Sequence, residues 1–246
     1  MLDSPCATYL ECSKKEVSFM GPMLTTMLQA IKETNLWDEL MQHPFNLELA
    51  SGSLDASIFA HFLRLDQLYL NQLATILKSI AENTTLLQHK HPLLALANMT
   101  VHAEQDMLSQ FLPAEAGSIA DLNCEVLDAY VSHLKSSARM SSTVAVASVI
   151  PCFFLYLNLG QMMAQVQTPD NRYQKWIDTY SDPEFQHETE ALLAILEELA
   201  LNDGIHEAMI TAFVQSANHE MRFFESVYRT AWSDEQTNEA FHFSFC

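Results

Sequence analysis

The sequence predicts an all-α protein, and three observations carry that reading. Glycine and proline are scarce, at 5 and 8 in 246 residues, whereas sheets joined by tight turns need far more punctuation. Apolar residues recur at helical spacing, as in Phe19, Met23, Met27 and Ile31. The breaks that do occur read as helix ends, such as Ser181-Asp182-Pro183, where a capping side chain precedes a proline. Linkers and internal repeats are absent, so the chain reads as one domain over 1–246. A chain this long buries roughly three quarters of its unfolded surface.

The elements follow in order. Residues 1–15 read as peripheral, and a first helix is expected from Val17 to Thr34. Leu36 to Met41 continues it briefly, and His43-Pro44-Phe45 breaks it. Asp55 caps a long helix from Ala56 to Ala81. His91-Pro92 opens the next, which reaches Phe111 before Pro113. Another starts at Ser118 to Asp121 and covers Cys124 to Ala138. Ser141 or Ser142 caps an apolar helix that ends near Thr168-Pro169-Asp170, and a short segment, Arg172 to Tyr180, follows. Asp182 caps a helix to Leu201, and Asp203 caps the last one, to Thr230. The tail 233–246 is left unassigned and peripheral.

Composition narrows the function. The net charge is -19, and the basic residues are scattered, with Lys14-Lys15 the one adjacent pair. Such a chain has little to neutralise phosphates with, so no nucleic-acid partner is expected. The N-terminus lacks signal-peptide features, and the apolar run Thr143 to Gly160 is interrupted by Ser148, Pro151 and Asn158. No membrane partner is therefore expected, and the location reads as cytoplasmic. The five cysteines, Cys6, Cys12, Cys124, Cys152 and Cys246, form no paired metal spacing and read as free thiols.

The stretch 147–156 stands out. Pro151 removes the hydrogen bond to the Ala147 carbonyl and weakens one turn of a helix. Cys152 follows directly, and Tyr156 lies one turn on along the same face. Taken alone, a buried cysteine beside a tolerated kink is the preferred reading.

The ordered punctuation resembles the TenA family of thiaminase II enzymes, which share the haem-oxygenase-like fold. The resemblance rests on His43-Pro44-Phe45, Gly52-Ser53-Leu54 and Leu65-Asp66-Gln67-Leu68-Tyr69-Leu70 at the start. Tyr130-Val131-Ser132-His133 comes next. Pro151-Cys152-Phe153-Phe154-Leu155-Tyr156, Tyr173 to Tyr180 and Glu220-Met221-Arg222-Phe223-Phe224 complete it, over roughly 37–228. The resemblance implies a multi-helix bundle and a hydrolase without a cofactor. Its substrate would be an aminomethyl-substituted 4-aminopyrimidine, converted to ammonia and hydroxymethylpyrimidine for thiamin salvage. It also implies assembly as a homodimer or homotetramer. Cys152 would be the nucleophile and Glu220 the proton-handling group. Asp66 would bind the aminopyrimidine edge, and Tyr69, Tyr130, Tyr156, Tyr180 and Phe223 would wall the ring.

Residue chemistry agrees. Asp66 with Tyr69, Glu220 with Phe223, and Cys152 with Tyr156 each place a polar group and an aromatic ring on one helix face. A flat, nitrogen-rich ring needs such stacking and a few placed carboxylates. An unperturbed thiol and glutamate lie roughly four pH units apart, so activation is expected to depend on burial and on bound substrate. Leu65, Leu108 and Phe224 depart from the family's usual residues and leave the exact substrate open.

Two other functions fit parts of the sequence. One is a metal-dependent oxidase of the same fold using Glu184/His187, Asp203/His206 or His102/Asp106. The carboxylates of the first two pairs sit at expected helix starts, where they stabilise the end in any case. The other is a non-catalytic aminopyrimidine-binding or regulatory protein in which Cys152 is only packed.

Overall fold

The computed structural model describes residues 21–84, 87–111, 124–166, 168–204 and 206–242; for 103–106, 108 and 230–242 only the backbone enters the description. The described residues form ten α-helices and no strand. The calls for 1–20, for the start at Ser118 to Asp121 and for Asp106 and Leu108 therefore lie outside what can be described. Helix α1 (Pro22–Glu33) has Gly21 before it and proline in its first turn. Its first free N–H groups, those of Met23 and Leu24, donate at 3.0 and 2.8 Å to the Glu197 carboxylate of a distant helix.

Two prolines behave differently from the sequence expectation. His43-Pro44-Phe45 does not merely end α2 (Leu36–Met41); it starts a further helix, α3 (Pro44–Ser51). Pro44 sits in the first turn, where no N–H is required, and His43 Nδ1 accepts the Phe45 N–H at 3.2 Å. Gly52, at φ 74°, closes α3 in the left-handed conformation. Pro92, by contrast, lies inside α5 (Leu87–Phe111) rather than at its start.

Asp55 caps α4 (Ala56–Asn83) through the Ser57 N–H, as expected. Helix α6 (Glu125–Met140) precedes α7 (Ser142–Val166), whose Val144 N–H is taken by the Ser141 hydroxyl. Helix α8 (Gln174–Tyr180) is short, and Asp182 caps α9 (Pro183–Asp203) through the Glu184 N–H. Asp203 closes α9 instead of capping the next helix, because Gly204 takes φ 64° there; its carboxylate accepts the Thr143 hydroxyl. Helix α10 (His206–His242) runs well past the expected end at Thr230 and takes in most of the unassigned tail.

Helix α7 is the axis of the bundle. It packs on α10, α9, α6 and α8, and more briefly on α3 and α4. By length and composition it is apolar enough to cross a membrane, but nearly all of it is buried among the other helices. Its face Cys152, Tyr156, Gly160 repeats every four residues. A Cβ on Gly160 would lie 2.4 Å from the Tyr180 carbonyl carbon and 2.8 Å from the Ser181 nitrogen. That contact is with backbone, so no side-chain rotation relieves it. Asn171 fixes the other end of α8: its amide donates to the Leu49 and Ala50 carbonyls, and its oxygen accepts the Tyr173 N–H.

Gly160→Ala should therefore destabilise the protein although alanine is the better helix former. Overpacking against fixed backbone costs about 1–3 kcal/mol, which outweighs a propensity gain of about 1 kcal/mol. Thermal unfolding should show a midpoint lowered by a few degrees; an unchanged or raised midpoint would mean that α8 is free to retreat.

Candidate active site

Five helices bring polar and aromatic side chains to Cys152. Helix α4 supplies Asp66 and Tyr69, α6 Tyr130, α7 Cys152 and Tyr156, α8 Tyr180, and α10 Glu220; all of these are buried. Cys152, Asp66, Tyr156 and Tyr180 line one cavity of about 30 Å³, completed by Leu70, Met99, Thr100, Phe153, Thr179 and Phe185. That volume holds a water or two. Met99, Thr179 and Phe185 are the half-buried members of the lining and so form its rim.

On the other side of Cys152 lie Tyr69, Tyr130 and Glu220. The Tyr130 hydroxyl donates to Glu220 Oε1 at 2.8 Å. Tyr69 stacks on Tyr130 with ring centroids 4.8 Å apart. Its hydroxyl is sealed from solvent and meets hydrogen-bond geometry with no neighbour. It nonetheless lies close enough to the Cys152 thiol to favour the thiolate slightly.

The electrostatics follow from burial. Glu220 is 2% exposed, and burial pushes its carboxyl up to about 7 against the opposing pull of the Tyr130 hydrogen bond. Burial, then the charges of Glu220 and Asp66, push the Cys152 thiol well above its ordinary range. Burial likewise pushes the Tyr69, Tyr130, Tyr156 and Tyr180 hydroxyls far up, so they serve as neutral donors. In the free protein the thiol keeps its proton beside a carboxyl poised near neutrality.

Of the residues named from sequence, Phe223 stands apart. It packs on Phe62 at 5.7 Å and does not line the cavity. Its neighbour Phe224 backs Tyr156, with rings 6.1 Å apart. Sequence reasoning missed Met99, Thr100 and Phe185, because an apolar residue on an amphipathic helix looks the same whether it faces core or ligand. It also missed His219, which stacks on Tyr130; a histidine beside a candidate acid was the available signal.

The Glu184/His187 and Asp203/His206 pairs do not converge, and the Asp106 side chain lies outside the description. Glu184 and His187 are exposed, Asp203 is engaged by Thr143, and His206 Nε2 meets the Ala200 carbonyl at 2.8 Å. No group of three metal-binding side chains occurs among the described residues.

The family model described as TENA/THI-4/PQQC matches residues 122–230, the part that carries Tyr130, Cys152, Tyr156, Tyr180 and Glu220. Over this part the chain is similar to that family. It is 26% identical over 213 residues to the aminopyrimidine aminohydrolase of Bacillus subtilis, covering 82% of this chain and 89% of that one. A TenA family transcription regulator from a Silicibacter species superposes with a TM-score of 0.76 at 17% identity, over 84% of this chain and 96% of the other. A domain with a heme oxygenase-like fold from Shewanella denitrificans gives 0.68 at 14% identity, over 89% and 96%. The bundle is haem-oxygenase-like, as the sequence resemblance implied.

The buried carboxyl has a stability signature. Glu220 binds its proton more tightly folded than unfolded, about 7 against 4.5. The stabilisation from that proton is present below pH 4.5 and is lost as pH rises through about 7. Above neutrality, keeping the carboxylate buried costs about 3 kcal/mol. Glu220→Gln should thus unfold at a higher temperature than the wild type at pH 8, with the gap closing below pH 5. Calorimetry at the two pH values reads this directly, and equal midpoints at pH 8 would refute the burial argument.

Proposed function

We propose that this chain is a member of the TenA family and hydrolyses the aminomethyl group of a 4-aminopyrimidine, releasing ammonia and hydroxymethylpyrimidine, through covalent catalysis by Cys152. The observation that carries the reading is a buried thiol set between a carboxyl held near neutrality and an aromatic cavity containing Asp66. The name of the Bacillus subtilis relative, aminopyrimidine aminohydrolase, points the same way. We also take the chain as one TenA-like domain, located in the cytoplasm and assembled as a homodimer or homotetramer, which light scattering tests.

The chemistry balances as follows. An amine on a ring methylene leaves poorly by direct displacement. Addition of the Cys152 thiolate to a ring carbon breaks aromaticity and expels the amine from the adjacent methylene. Water then adds to that methylene, the thiol departs and the ring recovers. Glu220 takes the thiol proton and passes it to the leaving amine. Asp66 accepts hydrogen bonds from the ring amino group, and Tyr156 and Tyr180 contact the ring. Burial makes the thiol a weaker acid, so the first step is unfavourable in the free protein. A bound amine-bearing substrate brings positive charge among these acids and lowers that barrier. The cavity must also widen, and the half-buried Met99, Thr179 and Phe185 are the side chains free to yield.

Cys152→Ser should keep the fold and lose nearly all ammonia release, because serine ionises far less readily. Near-wild-type turnover would remove Cys152 from the nucleophile's role. Asp66→Asn should weaken aminopyrimidine binding by about one to two powers of ten, the worth of a charge-assisted contact. Aminomethylpyrimidine should outcompete intact thiamin, since Asp66 is the one carboxyl group on the cavity wall and nothing there is dedicated to a thiazolium. Saturable binding without ammonia release would support the non-catalytic alternative, which the protonated thiol of the free protein also fits.

A further inference from the structure

Helix α10 places His219 immediately before Glu220, and its ring lies face to face with Tyr130, centroids 5.1 Å apart and planes 9° from parallel. Tyr69 also stacks on Tyr130, at 4.8 Å and 27°, and makes no ring contact with His219, so we take it to lie on the opposite face. His133 of α6 continues the column beyond His219 at 5.4 Å. His133 is itself held, its Nε2 lying 2.9 Å from the Ser216 hydroxyl and 3.2 Å from the Ala212 carbonyl. Four rings from three helices thus form one stack, and the second ring is the one bonded to Glu220. We propose that His219 is a positioning residue: its ring clamps Tyr130 against Tyr69 and so holds the Tyr130 hydroxyl on Glu220, setting the pH at which Glu220 gives up its proton. The proposal rests on the hydrolase reading for its kinetic readout but not for its geometric one.

The clamp suits a neutral ring. Burial, with His133 and Arg222 nearby, lowers His219 to about 4, so it stacks uncharged at neutral pH. Its Nδ1 is buried and has no hydrogen-bond partner, so no polar contact competes for the ring's orientation. A tyrosine held on both faces has little freedom to swing its hydroxyl away. The groups facing Glu220 are all acids or phenols: Tyr69 of α4, Tyr130 of α6, Cys152 and Tyr156 of α7, and Tyr180 of α8. Asp66 lies with them around Cys152. No neighbour other than Tyr130 is seen to hold the Glu220 carboxylate form down, so releasing Tyr130 raises the pH of proton loss.

The test compares full-length wild type with His219→Leu, His219→Phe, Tyr130→Phe and the His219→Leu/Tyr130→Phe double variant. The readouts are the acid limb of kcat/KM against pH and the infrared carbonyl band of the protonated carboxyl, identified by its loss in Glu220→Gln. His219→Leu should move both titrations up by about one to two pH units. Tyr130→Phe should move them equally, and the double variant should move them no further than either single change. His219→Phe, which keeps a flat ring, should leave the titration where the wild type has it. A wild-type titration in folded His219→Leu, additive shifts in the double variant, or a displaced titration in His219→Phe would each overturn the proposal. So would failure of both position-219 variants to fold, which would give the ring a general packing role. If wild type releases no ammonia, the hydrolase reading fails, while the infrared band still decides the clamp.

Discussion

Among the described residues, no cation offsets the charge of the Glu220 carboxyl. Burial raises it and one phenol restrains it, and the same carboxyl in turn raises the Cys152 thiol beside it. Much of the surrounding structure follows from that arrangement. A carboxyl and a thiol that share a dry space cannot both ionise cheaply, so the free site rests with its protons on. The tyrosines around them, raised still further, add donors without adding charge.

A site so unfavourable for charge needs a rigid surround, and α7 supplies its axis. The helix is buried on nearly every side, so its turn at Pro151 cannot relax into solvent. One face then carries Cys152, Tyr156 and Gly160 at four-residue intervals: the first two line the cavity and the third allows the close approach of α8. The approach at Gly160 brings the Tyr180 backbone within contact, so Tyr180 reaches the cavity without a long loop. The Asn171 clamp on α3 holds the other end of that short helix, which is too short to be stable by itself.

The helices were legible wherever a capping side chain announced them, as at Asp55 and Asp182, because a cap acts locally. Proline was ambiguous, since its effect depends on position within the helix. Pro44 falls where no N–H is needed, whereas Pro92 falls where one is lost, and the dipeptides His43-Pro44 and His91-Pro92 read alike. Asp203 looked like a cap and is an end, because Gly204 stops the helix one residue later. In the site, Cys152, Asp66, Tyr156 and Tyr180 do meet around one cavity, whereas Phe223 faces the core. Position 223 shares a helix face with Glu220, but a face is wide enough to serve core and cavity at once. His219 was signalled only by its place beside Glu220; its contact is with a ring from another helix, which sequence spacing does not encode.

A pyrimidine-binding protein would need the flat cavity and Asp66 and nothing more. It would gain no affinity from a thiol within a carboxyl's electrostatic influence, and it would bear the cost of burying both. Hydrophobic side chains at positions 152 and 220 would pack the same space at lower cost. The presence of both groups, with the acid brought near neutrality and the thiol within its influence, is the arrangement that proton transfer demands and that binding alone does not. Destabilised groups of this kind concentrate where a protein performs chemistry. On that argument, the strain stored at Cys152 and Glu220 points to turnover rather than capture.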